Sequence, residues 1–270
     1  MFQRLALTAL HRWGEKEGRK PLVLRGARQV GKTTLVKLFA REFDVFIELN
    51  LEEKENARLF AGEVSFDDLL AGIYAKAGVR MENKRTLIFI DEIQNEPEAV
   101  RSLRYFYEKR PDLHVIAAGS LLESLVGNHI SFPVGRVEYM ALHPCTFTEF
   151  LGALGENVLV EQIERLTVPQ SVHSYVMDLF RKYMIVGGLP EAVANYAKYK
   201  DWVRLNDIFN SLIAGYKDDI EKYAKELQKL GAKNVLISLG GDGAMLIDEF
   251  GKRHKAGVLK EKVINTVGSG

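Results

Sequence analysis

The sequence predicts an α/β protein built on a parallel sheet flanked by helices. Three stretches carry that expectation. Pro21 to Arg25 is a short apolar run followed by GARQVGKTT, and Leu35, Leu38, Phe39 and Phe43 then recur at helical spacing. TLIFIDEIQ, Thr86 to Gln94, is an apolar run that ends in two carboxylates. HVIAAGS, His114 to Ser120, is a further apolar run with a polar residue at its end. Continuous apolar strands with polar ends are what a sheet covered on both faces requires.

The stretch Gly26 to Thr34 fits the pattern G-x-x-x-x-G-K-S/T, with Gly26, Gly31, Lys32 and Thr33 in register. A triphosphate needs many donors at close range. Backbone N–H groups supply them only where no Cβ blocks approach, and the following helix points its positive end at the anion. Gly26, Ala27, Arg28, Gln29, Val30, Gly31, Lys32, Thr33 and Thr34 are therefore the expected nucleotide-binding residues. Lys32 can reach the β- and γ-phosphates, and the Thr33 hydroxyl can ligate Mg²⁺.

Asp91 and Glu92 admit two readings. As helix-capping acids they would carry no chemistry. About sixty residues after a phosphate loop they form a Walker A and Walker B pair, with Asp91 serving the Mg²⁺ shell and Glu92 orienting or deprotonating water. Ser120 either reads the γ-phosphate or positions water, or else caps the LLESLV helix.

The rest of the chain falls around these stretches. Residues 2 to 13 place Phe2, Leu5, Ala6, Ala9, Leu10 and Trp13 on one helical face, which is expected to pack on the nucleotide-binding core. VFIELNLEE, Val45 to Glu53, reads as a strand, with a helix near Asp67 to Ala77 and another over Ala99 to Arg110. Residues 146 to 222 read as mostly helical, broken at Gly187-Gly188, where a close backbone approach is the alternative.

Composition adds bounds. The formal net charge of +1 gives no basic excess, so bulk charge does not argue for nucleic acid. Cys145 is the only cysteine, which excludes an intramolecular disulfide and suits a reducing compartment. Beside Pro144 and without a partner thiol, it reads as a small buried side chain rather than a nucleophile. Leu5 to Leu10 is too short for a signal peptide and no run is long enough to span a membrane, so a cytoplasmic protein with no membrane partner is expected.

GARQVGKTTL, FIDEIQ, AAGSLL, FPVGRVEYMALHPCTFTEFL and YMIVGGLPEAV together resemble the AAA-type P-loop ATPases in which a nucleotide domain precedes a helical segment and a domain of unknown function. The resemblance covers residues 1 to about 222. It implies an AAA-like core with the sensor strand between the Walker strands, ATP and Mg²⁺ as cofactors, and an ATP-hydrolysing activity. It further implies a protein or nucleic-acid client and nucleotide-dependent self-association. By the same resemblance Lys32, Glu92, Ser120 and Arg136 are catalytic candidates, with Arg136 stabilising charge on the γ-phosphate. Arg136 reads otherwise as an ordinary exposed charge.

After about Tyr223 the likeness changes. AKELQKLGAKNVLISLGGDGAMLIDEFGKRHKAG and VINTVGSG resemble the C-terminal part of ribokinase-type sugar kinases, 1-phosphofructokinase among them. A strand at KNVLISLG, a turn at GGDG and a returning strand at AMLIDEF are expected, and the tail is a short hairpin-containing piece. That resemblance implies an anion hole at Gly268 to Gly270 followed by a catalytic aspartate. The sequence stops at Gly270, so sugar-phosphate kinase activity is not expected. The expected division is 1–145 P-loop domain, 146–222 helical region and 223–270 sugar-kinase-like tail, a chimeric C-terminus. A nucleotide-binding switch without turnover is the third reading, and it requires Glu92 to be idle.

Overall fold

A computed structural model describes residues 2, 4–62, 64–82, 84–119, 132–229, 231–238 and 244–257. They form two compact units, 1–201 and 202–270.

The first unit is built on five parallel strands: β1 (Leu22–Arg25), β2 (Val45–Asn50), β3 (Thr86–Asp91), β4 (His114–Gly119) and β5 (Glu138–Ala141). Their order is β2-β3-β4-β1-β5, which sets β4 between the strand of the glycine loop and the strand of the two carboxylates. Register is tight at the centre, where Leu22 pairs with Ile116 and Ile88 with Val115.

Alternation along each strand divides the core into two layers. Val23, Ile88, Ile90, Val115 and Ala117 face one side, packed with α4 (Phe66–Lys76) and α5 (Pro97–Lys109) through Leu70, Ile73, Leu103 and Phe106. Leu22, Leu24, Leu87, Phe89, Ile116 and Ala118 face the other side. They pack with α1 (Leu5–Gly14) and α2 (Lys32–Phe39) through Leu10, Trp13, Leu35, Val36 and Phe39. Each such Val, Leu, Ile or Phe side chain removed from water contributes about 1.5–3 kcal/mol, and the two faces together produce the expected parallel sheet between helical layers. A short helix, α3 (Lys54–Arg58), follows β2.

Several boundaries differ from the sequence expectation, each for a visible reason. The first helix begins at Leu5 because Arg4 is extended, with φ −100° and ψ 133°. Strand β2 stops at Asn50, three residues early. The Asn50 side chain accepts from the Glu52 N–H, and its carbonyl accepts from Asn56 Nδ2, which turns the chain. Strand β3 stops at Asp91 because Glu92 adopts the left-handed region at φ 51°.

Beyond β5, α6 (Phe147–Leu154) starts with a reciprocal capping box between Thr146 and Glu149. It packs with α7 (Asn157–Glu164) and α8 (His173–Val186) around Leu151, Leu159 and Leu179. Gly187 sits at φ 69° between α8 and α9 (Pro190–Tyr199), and both readings of the glycine pair hold. A Cβ at Gly188 would lie 2.6 Å from the Cys145 carbonyl, whose residue also donates its N–H to Gly188 O at 2.6 Å. Cys145 is 1% exposed, as expected of a buried side chain, and burial pushes its thiol up to about 11.

In the second unit, α10 (Trp202–Lys229) is one helix that continues through residue 223, where the resemblance changes. It packs on a three-stranded antiparallel sheet, β6 (Val235–Ser238), β7 (Ala244–Ile247) and β8 (Arg253–Ala256), in the order β6-β7-β8. Gln228 Nε2 donates to the carbonyls of Lys233 and Asp248. The turn expected at GGDG, and Gly268, Ser269 and Gly270, lie outside the described residues, as does Ser120. Among the described residues no helix is long and apolar enough to cross a membrane.

Candidate nucleotide site

The five strands run the same way, so their carboxyl ends gather on one edge of the sheet. The loop Gly26 to Gly31 leaves β1 at that edge, and Asp91 and Glu92 leave β3 there. Gly26 tolerates no side chain, because a Cβ would stand 2.5 Å from the Leu142 carbonyl. The Leu142 N–H donates to Arg25 O at 2.7 Å and ties the loop's start to the end of β5. Gln29 and Gly31 both hold positive φ, 62° and 89°. Gly31 is the N-cap of α2, and no side chain caps that end. Its first amides are therefore offered toward the loop, as an anion site needs.

Lys32 is 7% exposed, and its Nζ donates to the carbonyls of Gly26 at 2.8 Å and Ala27 at 2.9 Å. Burial lowers its pKa; Glu92 and Asp91 oppose that shift and Arg28 adds to it. Thr33 Oγ1 donates to Asp91 Oδ2 at 2.7 Å, so the loop and the acidic strand meet directly. Asp91 Oδ1 accepts from the Glu92 N–H at 3.0 Å. Burial raises the Asp91 carboxyl, against the Thr33 hydrogen bond. The turn at Glu92 sends its side chain to the cavity wall, where Gln94 Nε2 donates to Glu92 Oε2.

The residues fit Mg²⁺. Thr33 and Asp91 bring two hard oxygen donors together at the end of the cradle, and a cation there would relieve the burial of Asp91. Mg²⁺ commonly takes one or two protein oxygens and completes its shell with water and phosphate. Among the described residues no cluster of three His, Cys, Asp or Glu side chains offers an all-protein cage.

A cavity of about 640 Å³ lies over the loop. Arg28, Gln29, Gly31, Lys32, Thr33, Thr34 and Glu92 line it, whereas Gly26, Ala27, Val30 and Asp91 are not among its lining residues. Arg136 is placed elsewhere. It sits in the turn before β5, with its Nε donating to Glu108 Oε1 at 3.2 Å, and is not among the cavity's residues. Sequence reasoning missed Phe2, Arg4, Leu35, Leu38, Glu52, Pro190, Glu191 and Ala194, which also line the cavity. Pro190 was signalled by the GGLP break. Arg4 carried no local signal, because its carboxylate partner Glu149 is 145 residues away.

Sheet order, glycine loop and acidic strand end define a P-loop NTPase fold. Residues 18–151 match the AAA domain family, while residues 191–270 match the pfkB family carbohydrate kinases. The replication factor C large subunit of Thermococcus kodakarensis is 28% identical over 246 residues, covering 83% of this chain. The chain spans 44% of that relative's length. A Walker-type ATPase of Pyrococcus abyssi shares the fold with a TM-score of 0.54 at 17% identity, over 84% of this chain and 77% of that one.

Proposed function

We propose that this protein binds ATP with Mg²⁺ at Gly26 to Thr34 and hydrolyses it. The observation that carries the reading is the direct contact of Thr33 Oγ1 with Asp91 Oδ2 beside a buried Lys32. The loop amides and the Lys32 ammonium hold the triphosphate, and Phe2, Leu38, Pro190 and Ala194 are the apolar surface available to a base. Thr33 and Asp91 would hold Mg²⁺, which would offset the charge of the phosphates when bound. Glu92, on the cavity wall, orients the attacking water and takes its proton.

The functional division we propose is a P-loop ATPase domain over 1–145, a helical region over 146–222 and a distinct tail over 223–270. The client is a protein or nucleic acid, and self-association with nucleotide accompanies the cycle. A role for Arg136 on phosphate would then fall to a neighbouring copy, since its own cavity does not include it. The pfkB match over 191–270 favours a second reading, phosphorylation of a sugar phosphate. Transfer of label from ATP to fructose 1-phosphate by purified protein would establish it.

Calorimetry and phosphate release test the main reading. Lys32→Ala is expected to weaken ATP by about 10- to 100-fold, the value of one charge-assisted hydrogen bond of about 1.5–3 kcal/mol. Glu92→Gln is expected to keep ATP affinity and slow turnover by about 10²–10⁴-fold. Unchanged ATP affinity in Lys32→Ala would overturn the reading, and parental turnover in Glu92→Gln would move the base elsewhere.

A further inference from the structure

Arg4 is a charged side chain with only 8% exposure, in an extended residue ahead of the first helix. A charge in that position persists only when it is paired and its donors are satisfied. Its guanidinium meets three separate parts of the chain. Nε donates to Glu149 Oε1 at 3.0 Å, Nη2 to the His143 carbonyl at 2.8 Å, and Nη1 to the Val30 carbonyl at 3.1 Å. A planar fork can satisfy acceptors in several fixed directions at once, which an ammonium on a flexible stem cannot.

Glu149 is 6% exposed and is equally committed. The oxygen that takes Arg4 also accepts the Leu5 N–H at 2.8 Å, in the first turn of α1. Its other oxygen accepts the Thr146 N–H at 2.8 Å and closes the capping box of α6. One carboxylate thus anchors two helix starts, and the arginine it holds reaches the phosphate loop between them.

The Val30 contact matters because of the peptide it belongs to. The Val30–Gly31 bond is trans, so its carbonyl and N–H point in opposite directions across one plane. A carbonyl held by Arg4 fixes where the Gly31 N–H points. Gly31 is the N-cap of α2 and lines the cavity, so this amide is one of those an anion at the helix start would use. The outer side of Gly31 is walled as well: a Cβ there would lie 3.5 Å from Pro190 Cγ and 3.8 Å from Arg4 Nη1.

We propose that Arg4 is a positioning residue for the phosphate loop, held by Glu149 and acting through the Val30 carbonyl on the direction of the Gly31 amide. The proposal rests on the reading that this loop binds ATP. Its role is separate from that of Lys32, because the Arg4 charge is already matched by Glu149.

The test compares ATP affinity with thermal stability in two variants of the full chain. Arg4→Lys keeps the charge beside Glu149 but loses the three-way fork. Arg4→Met/Glu149→Met removes both charges, so neither is left buried alone. Each is assayed by calorimetry with Mg-ATP at a temperature where circular dichroism shows it folded. The expected result is ATP binding about 10-fold weaker or more in both, whatever their shift in Tm. A purely structural pair would lower Tm and leave the affinity of the folded protein at the parental value. ATP affinity within about twofold of the parent in either folded variant would therefore overturn the proposal. A parent that does not bind ATP overturns the nucleotide reading and this proposal with it, whereas a binding parent with equally binding variants overturns only the role of Arg4.

Discussion

The two sheets of this chain are covered in different ways. Every residue of β3 and β4 is buried, on both faces. In the tail, β7 alternates, with Met245 and Ile247 buried, while all four residues of β8 are exposed. Leu236 stands 72% exposed, and its register partner Leu246 is only half-buried. Parallel strands need crossovers that wrap helices over both faces, and they bring every carboxyl end to one edge. Antiparallel strands end alternately at opposite edges, so the same number of residues collects no shared rim. The difference teaches why the candidate site forms on the five-stranded sheet: its topology gathers loop, acid and helix start on one edge.

The contrast is first tested by deleting apolar side chains from each sheet. Phe89→Ala should cost about 3–5 kcal/mol, since a fully buried ring leaves a cavity. Leu236→Ala should change stability by no more than about 0.5 kcal/mol. Urea denaturation of the two variants checks this, and equal losses would mean that the second sheet is as closely packed as the first.

A smaller effect comes from pH, at the end of β4 remote from the loop. Arg19 Nη2 donates to His114 Nδ1 at 3.0 Å, which fixes Nε2 as the protonated nitrogen, and Nε2 donates to the Gly14 carbonyl at 3.0 Å. Burial, with the Arg19 charge adding to it, lowers the His114 pKa to about 4. An unfolded histidine titrates near 6.5, so between those values the unfolded chain binds more protons. Stability is therefore full above about pH 6.5 and falls by about 1–3 kcal/mol as pH drops toward 4. Thermal melts of the parent and His114→Gln across that range should differ in slope. Parallel curves would remove His114 as the cause.

The smallest effect is expected at Arg136. Its ion pair with Glu108 is exposed, and Glu108 is shared with Arg104. Arg136→Ala should change stability by less than about 1 kcal/mol and leave turnover within a few fold at dilution, where copies do not meet. A loss of turnover that appears only at high protein concentration would assign the side chain to a neighbour's nucleotide.

Much of the candidate site was legible because its pattern is local. Glycines, lysine and threonine must follow one another within a single turn, and an acid must end an apolar strand. The contact of Thr33 with Asp91 follows once β3 and β1 flank β4. Other features depend on distance along the chain. Arg4 is unremarkable until residues 143 and 149 fold back to it. The TFTE run at Thr146 to Glu149 signals a capping box, but nothing in it shows that the same carboxylate serves a helix start 144 residues earlier. Strand ends were overextended at Asn50 and Asp91 for a related reason: the turns there come from side-chain bonding and a left-handed backbone, which apolar periodicity does not record.

Lys32 carries a consequence for interpretation. Its ammonium already has two partners inside the loop, the carbonyls of Gly26 and Ala27. Replacing it by alanine removes those bonds from the free protein as well as the proposed phosphate contacts from an ATP complex. The reference state and the bound state both move, and a measured difference in affinity is what remains after subtraction. A thermodynamic cycle that also records the unfolding free energy of each free protein separates the two contributions. Without that second leg, the lysine's attraction for phosphate is understated by the work of detaching it from its own backbone.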